Sequence, residues 1–188
     1  ATYNPFPVTG ALNVSENLLG DESFRANAVT YTSPNLSGFT AAVQYGASES
    51  KSTDDTYAAQ VNYVAGPLSV GGTYTDFDSS SLWQLGASYD FGVAKAFAQY
   101  GQNKVDGAGS KYKFYQVGVA VPVAPNGAVL ASFGEGKQND ARLREFSLAY
   151  DYSLSKRTGA YAGLIYGNAK YGNSETATTY AVGLRHAF

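Results

Sequence analysis

Short runs of alternating apolar and polar residues follow one another along most of the chain. From about Arg25 onward, eleven such runs are separated by polar or Gly/Pro-rich clusters. Alternation with period two places successive side chains on opposite faces of a β-strand, and consecutive strands joined by turns form an antiparallel meander. The predicted strands are 25–32, 39–47, 56–64, 68–76, 82–91, 94–101, 112–121, 127–135, 143–152, 158–167 and 178–188.

The connections between these runs differ at the two ends of the predicted sheet. Counted from the first strand, the odd-numbered connections are short and turn-like, such as 65–67 and 91–93. The even-numbered connections are longer and polar, such as 102–111, 136–142 and 168–177. Outer-membrane barrels have short periplasmic turns and longer external loops. The alternation therefore predicts a periplasmic end at the odd-numbered connections and an external end at the even-numbered ones.

One face of each predicted strand is aromatic at its ends and aliphatic or small in the middle. In strand 56–64, Tyr57, Val61 and Tyr63 share a face, whereas Gln60 and Asn62 lie on the other. Membrane barrels place aromatic girdles at both water interfaces with aliphatic residues between them. The pattern predicts an all-β fold, an antiparallel transmembrane β-barrel built as an up-and-down meander of about 11 to 12 strands. Strands 127–135 and 158–167 are ambiguous in phase.

Composition and charge narrow the classes of protein to which the chain can belong. The 188 residues include no Cys and 13 basic against 15 acidic side chains, so the net charge is −2. This charge balance does not favour binding of nucleic acid. No stretch of the sequence approaches the roughly 18 consecutive apolar residues that a membrane-spanning helix needs. We predict a single domain over 1–188, with a loop-like segment at 1–24 and the strand meander at 25–188.

The sequence offers little for covalent chemistry. His186 is the only histidine and lies two residues from the end, on the apolar phase of its strand. A nucleophile would need an imidazole beside it, and nothing places two carboxylates together in a cleft. We therefore predict no enzymatic activity, no cofactor and no metal. An outer-membrane enzyme and a soluble lipocalin-like binding barrel remain as less favoured alternatives.

Three stretches carry a resemblance to a known family: 27–39, 150–158 and 182–188. They are similar to segments of the trimeric general porins of proteobacteria, in particular the β-proteobacterial branch. The resemblance implies an outer-membrane porin of a Gram-negative bacterium, with a water-filled channel for passive diffusion of ions and small hydrophilic solutes. It also implies a homotrimer, contact with outer-membrane lipid and lipopolysaccharide, and delivery by the outer-membrane assembly machinery.

The resembled barrels have 16 strands and a third external loop folded into the pore. The similarity here begins at the tail of that loop, so the first five strands have no counterpart in this sequence. We favour the interpretation that the chain is part of a longer porin. A twelfth strand from 1–20, residues left out of the numbering, and a shortened or engineered monomeric pore are the alternatives.

The resemblance also suggests functional residues. The four charged residues near the N-terminus are interpreted either as one wall of the constriction or as a solvated loop, and two cations on polar strand phases are expected to face the lumen. Arg142 and Arg144 would lie at the outer rim, where solvation is favoured over binding of lipopolysaccharide phosphates. The pore-lining set is Glu16, Asp21, Glu22, Arg25, Lys95 and Arg185, and the assembly signal is Tyr180, Val182, Leu184 and Phe188.

Overall fold

A computed structural model describes residues 3–5, 27–48, 55–107 and 109–188. Within them, eleven antiparallel strands form one sheet in which each strand pairs with the next along the chain. This confirms the predicted meander. The strands are β1 (Ala28–Thr32), β2 (Phe39–Gly46), β3 (Thr56–Ala65), β4 (Leu68–Phe77), β5 (Ser80–Asp90), β6 (Lys95–Val105), β7 (Lys111–Ala124), β8 (Gly127–Gln138), β9 (Ala141–Ser153), β10 (Thr158–Tyr171) and β11 (Asn173–His186).

The sheet is open between its first and last strands. Among the described residues, β1 pairs only with β2, and β11 pairs only with β10. The alternative of a twelfth strand from 1–20 and most of the loop-like segment at 1–24 lie outside the described residues, which include only 3–5 of this region. In the described part of the chain, no helix is long and apolar enough to cross a membrane.

Four of the five even-numbered connections are shorter than the sequence predicts, so the expectation of long loops is wrong for them, whereas the connection 47–55 has its predicted length. Residues 136–142 form strand on both sides of a two-residue turn at Asn139 and Asp140, and 168–177 form strand around Gly172. Positive φ values at Asn139 (53°) and Gly172 (79°) allow these tight turns. The strands continue where both faces are polar, and alternation of hydrophobicity cannot reveal a strand there.

The two ends of the sheet nevertheless remain different. We call them the odd end and the even end, after the connections found at each. Beyond Phe146, β9 continues five residues to Ala141 at the even end, whereas beyond Tyr152 it continues one residue to Ser153 at the odd end. The sequence predicts that the two ends differ in loop length. In the structure they differ instead in how far the paired strands extend beyond the aromatic row.

Strand register assigns every strand residue to one of two faces. Cross-strand partners share a face, and most of the exposed aromatic and aliphatic side chains fall on one side, which we call the outer face. Neighbouring rings touch along it, with centroids 5.5 Å apart for Tyr45 and Tyr57 and 5.5 Å for Trp83 and Tyr100. The even-end aromatic row is Tyr45, Tyr57, Tyr74, Trp83, Tyr100, Tyr115, Phe133, Phe146, Tyr166 and Tyr180; the odd-end row is Tyr31, Phe39, Tyr63, Tyr89, Phe91, Tyr150 and Tyr152.

The structure resolves the phase of the two ambiguous strands. In β8, Phe133 lies on the outer face and Leu130 on the inner face, where it is 5% exposed. In β10, Tyr166 lies outside and Ile165 inside. Apolar residues therefore occupy both faces of β8 and β10, which removes the alternation. The inner apolar cluster consists of Leu82, Phe114, Leu130, Ala149 and Ile165.

The two faces predict opposite tolerance to charge at adjacent positions. Val61 lies on the outer face between the two aromatic rows, and Gln60 lies beside it on the inner face. Val61→Lys would place a cation in hydrocarbon, at a cost of roughly 2–4 kcal/mol near the midplane. We expect Val61→Lys to reduce the folded fraction in lipid vesicles strongly, as measured by heat-dependent electrophoretic mobility, and Gln60→Lys to leave it near wild type. Equal yields would contradict the assignment of the faces.

Candidate pore-facing site

The inner face carries a row of glutamines that the sequence places on polar strand phases. Gln44, Gln60 and Gln84 lie on this face, as do Gln99 and Gln116. Gln99 and Gln116 are direct partners across β6 and β7, and the Gln99 side-chain amide donates a hydrogen bond to the Gln116 carbonyl oxygen. Amide side chains present both donors and acceptors, so they form a wall compatible with water.

Residues Tyr3, Asn4 and Pro5 lie against this inner wall. The Gln116 side-chain amide donates to Asn4 Oδ1 over 3.5 Å, and Asn4 is only 6% exposed. The Tyr3 ring covers Gly86, and the Pro5 ring lies 2.8 Å from where a Cβ at position 118 would stand. The segment 3–5 is therefore docked on the face that the glutamines line.

Glycines make this docking possible. Gly71 and Gly86 are direct partners across β4 and β5, so two missing side chains leave a depression in the wall. The Tyr3 hydroxyl lies 2.6 Å from where a Cβ at Gly71 would be, and ring atoms of Tyr3 lie closer still at Gly86. A side chain at either position would occupy the volume that Tyr3 fills.

Sequence reasoning missed this docking site. It treats 1–24 as loop-like and assigns no role to Tyr3, Asn4 or Pro5. The available signal was the occurrence of glycine on the inner phase of β4, β5 and β7. Aligning the predicted hairpins would have brought two of these glycines side by side.

The two cations predicted to face the lumen do lie on the inner face, near the odd end. Arg185 Nη2 is 3.1 Å from Asp151 Oδ2 in an ion pair. Lys95 is the direct cross-strand partner of Asp90, and its ammonium lies 5.3 Å from the centre of the Phe97 ring. Each cation therefore has a carboxylate on a neighbouring strand of the same face, and Arg185 and Asp151 are close enough to form an ion pair.

The other predicted site residues divide into two groups. Glu16, Asp21, Glu22 and Arg25 lie outside the described residues, so the constriction wall stays a prediction. The proposed assembly signal is fully accessible on the outer face and beyond the end of β11, and its role also stays a prediction. Exposed fractions are 77% for Tyr180, 85% for Val182 and 76% for Leu184, and Phe188 is completely exposed.

Several carboxylates in the described residues accept hydrogen bonds or form ion pairs. No group of three or more metal-ligating side chains occurs in the ranges that the structure describes. Asp55 accepts hydrogen bonds from the Ser48 backbone N–H (3.0 Å) and from the Tyr45 hydroxyl (2.7 Å). These bonds stabilise the ionised carboxylate, the Ser48 bond most, and lower the pKa of Asp55.

A sheet with an aromatic-bordered apolar outer face and a polar inner face belongs to the class of outer-membrane β-barrels. The chain belongs to the Gram-negative porin family, whose model matches residues 1–174. It is therefore an outer-membrane protein of a Gram-negative bacterium, as the resemblance implied.

Two curated relatives are porins of β-proteobacteria. Outer membrane porin protein 32 of Delftia acidovorans is 32% identical over 209 residues, a match that covers 89% of this chain and 58% of the relative. An outer membrane porin protein of Bordetella pertussis is 28% identical over 224 residues, covering 86% and 57%. The chain thus spans less than three fifths of the length of both relatives.

Solved structures show the same fold. The anion-selective porin from Comamonas acidovorans is 29% identical with a TM-score of 0.75, and the match covers 86% of this chain and 59% of that one. OmpT of Vibrio cholerae, at 15% identity, has a TM-score of 0.67 with 91% and 72% covered. The second likeness concerns the fold alone.

Because segment 3–5 is docked on glycines, a methyl group added at Gly86 should make the buried position 4 accessible to a labelling reagent. The chain has no Cys, so Asn4→Cys introduces one thiol, which we expect a water-soluble maleimide to label slowly. Adding Gly86→Ala should displace the Tyr3 ring and accelerate labelling about tenfold, an effect of roughly 1.4 kcal/mol.

Gly46→Ala is the matched control. Gly46 also lies on the inner face, but a Cβ there would meet only ordinary contacts at 3.6 Å from Thr56. We expect labelling of Asn4→Cys to be unchanged in that background. Rapid labelling of Asn4→Cys with both glycines intact would show that the segment is not docked.

Proposed function

We propose that the protein is a porin that forms a water-filled channel for passive diffusion of ions and small hydrophilic solutes. The observation that carries the proposal is the division of the sheet into an exposed apolar outer face and an inner face lined by glutamines. A hydrated wall inside an apolar surface conducts polar solutes without binding any one of them tightly. The segment 3–5 on the inner wall would narrow this path.

A channel is favoured over an enzyme. The family and the curated relatives are porins, and the arrangement of His186 supports the same conclusion. His186 is exposed on the outer face, where its Nδ1 lies 2.9 Å from Thr158 Oγ1 and its ring packs 4.8 Å from Phe188. An imidazole there faces away from the inner wall and cannot serve a nucleophile inside it.

The proposal includes the assembly that the resemblance implies. We propose a homotrimer in contact with outer-membrane lipid, delivered by the assembly machinery through the C-terminal residues. Unheated protein should migrate in denaturing gels as a species of three times the mass, and heating should collapse it to monomers. A folded species of monomer mass in mild detergent would contradict the trimer.

Conduction is tested by inserting protein purified from outer membranes into planar bilayers. We expect discrete current steps whose conductance rises in proportion to the salt concentration, because a wide hydrated pore conducts ions as bulk water does. Protein denatured by heating is the control and should give no steps. Folded protein that inserts but carries no current would contradict the proposed function.

The Arg185–Asp151 pair predicts opposite changes in ion preference for its two single variants. Arg185→Gln leaves Asp151 as an unpaired inner-wall anion, so the channel should become more cation-selective. Asp151→Asn leaves Arg185 unpaired and should make the channel more anion-selective. Reversal potentials across a salt gradient measure both shifts, which should shrink as salt screens the charges.

The double variant Arg185→Gln with Asp151→Asn is the matched control. It removes both charges and should return the reversal potential close to that of wild type. Single variants that leave the reversal potential unchanged at low salt would show that the pair does not border the conducting path.

A further inference from the structure

A groove on the inner face of β1 to β4 is lined by polar side chains that carry no charge, and we call it the uncharged groove. Its volume is about 270 Å³, near the lower end of the roughly 300–1,000 Å³ typical of small-molecule sites. Two glutamines and three threonines line it, and an aromatic ring lies at its even end. These residues are Gln44, Gln60, Thr30, Thr73, Thr75 and Phe77.

Strand register places each glutamine between a threonine and an alanine. Thr30 is the direct cross-strand partner of Gln44, and Thr73 is that of Gln60. The alanines on the other side of the two glutamines are Ala58 and Ala42. Because an alanine side chain projects little from the sheet, each amide has open space beside it. Gln44 and Gln60 are diagonal neighbours on adjacent strands, a placement that separates residues by roughly 7–8 Å.

The hydrogen-bonding groups of these two glutamines are unused. Within the described ranges, the side chains of Gln44 and Gln60 form no hydrogen bond, whereas Gln116 is bonded to both Gln99 and Asn4. Gln60 is exposed and Gln44 is half-buried. A glutamine amide offers an acceptor oxygen and two N–H donors, and a threonine hydroxyl both donates and accepts. The uncharged groove therefore presents donors and acceptors side by side to a solute on the inner face.

Charged side chains of the inner face lie elsewhere. In the described part of the chain, the inner face of β1 to β4 carries no acidic or basic residue. The two inner-face ion pairs at the odd end, Lys95 with Asp90 and Arg185 with Asp151, lie on later strands. An ion entering the groove would exchange water for dipoles alone, whereas a neutral solute with several hydroxyl groups would exchange one set of hydrogen bonds for another.

We propose that the uncharged groove is a weak binding subsite for neutral saccharides. Sugar hydroxyl groups donate to the amide oxygens and threonine hydroxyls and accept from the amide N–H groups of Gln44 and Gln60. The C–H face of the sugar ring packs on the alanine floor and against Phe77. The inference rests on the proposed function in that it places the groove beside the path that solutes take through the channel.

The test measures binding directly, without relying on conduction. D-glucose is titrated into folded protein in deuterated detergent, and saturation transfer from protein to sugar protons is recorded by NMR. We expect a saturable signal with a dissociation constant in the millimolar range, about 4 kcal/mol of binding free energy. Triethylene glycol, which has few donors, and glycine, which is charged at both ends, should give no saturable signal at the same concentrations.

Two groove variants each remove one amide and its neighbouring hydroxyl: Gln60→Leu with Thr73→Val, and Gln44→Leu with Thr30→Val. Each should bind glucose roughly tenfold more weakly, because hydrogen bonds at both removed groups are lost. The matched control, Gln138→Leu with Thr179→Val, makes the same two changes on the inner face of β8 and β11, outside the groove. We expect it to bind glucose as wild type does. Affinities are taken from folded protein only, and either groove variant suffices for the comparison.

Absence of saturable glucose binding to wild type would overturn the proposal. So would equal binding by a folded groove variant and wild type, or binding of triethylene glycol as tight as that of glucose. Conductance is measured in planar bilayers on the same samples. Current without saturable glucose binding contradicts the subsite alone, whereas saturable binding to folded protein that inserts but carries no current contradicts the channel.

Discussion

Pairing of backbone hydrogen-bonding groups is the constraint on which this structure depends. A strand in hydrocarbon has no water to satisfy its N–H and C=O groups, so each strand must pair along its length with a neighbour. Consecutive pairing from β1 to β11 meets that requirement for every interior strand. The same pairing fixes the register, and the register fixes which side chains face lipid and which face the inner wall.

Function follows from what each face then carries. The outer face can remain apolar because lipid is its solvent, and its aromatic rows mark the two boundaries with water. The inner face is more varied than a simple hydrated wall. Glutamines share it with a buried apolar cluster around Phe114 and with the glycine depression that receives Tyr3. The inner wall thus combines polar side chains that line a path for water with apolar and glycine-lined surfaces on which other segments of the chain pack.

The sequence predicts most of the fold because an amphipathic strand is recognisable from its period of two. All eleven strands and the faces of β3, β5 and β11 agree with the predictions. The phases of β8 and β10 could not be predicted, because Leu130 and Ile165 put apolar side chains on the inner face as well. The projecting strand ends were mistaken for loops, because both of their faces are polar.

The candidate site was harder to predict for a different reason. Residues such as Lys95 and Arg185 could be assigned to the inner face from local alternation, but their carboxylate partners come from neighbouring strands and depend on register. Docking of Tyr3 on Gly86 joins positions far apart in the chain. Lys113, Lys137 and Arg142 are likewise far apart in the sequence and become neighbours only when β7, β8 and β9 are aligned.

Alternate residues of each strand face lipid and water. This arrangement is tested most directly by placing a spin label at each position of β3 from Tyr57 to Tyr63 in reconstituted protein. The collision rate of each label with dissolved oxygen and with a water-soluble nickel chelate is then measured. We expect oxygen maxima at Tyr57, Ala59, Val61 and Tyr63 and nickel maxima at the residues between them. Profiles without period two, or with the phase reversed, would contradict it.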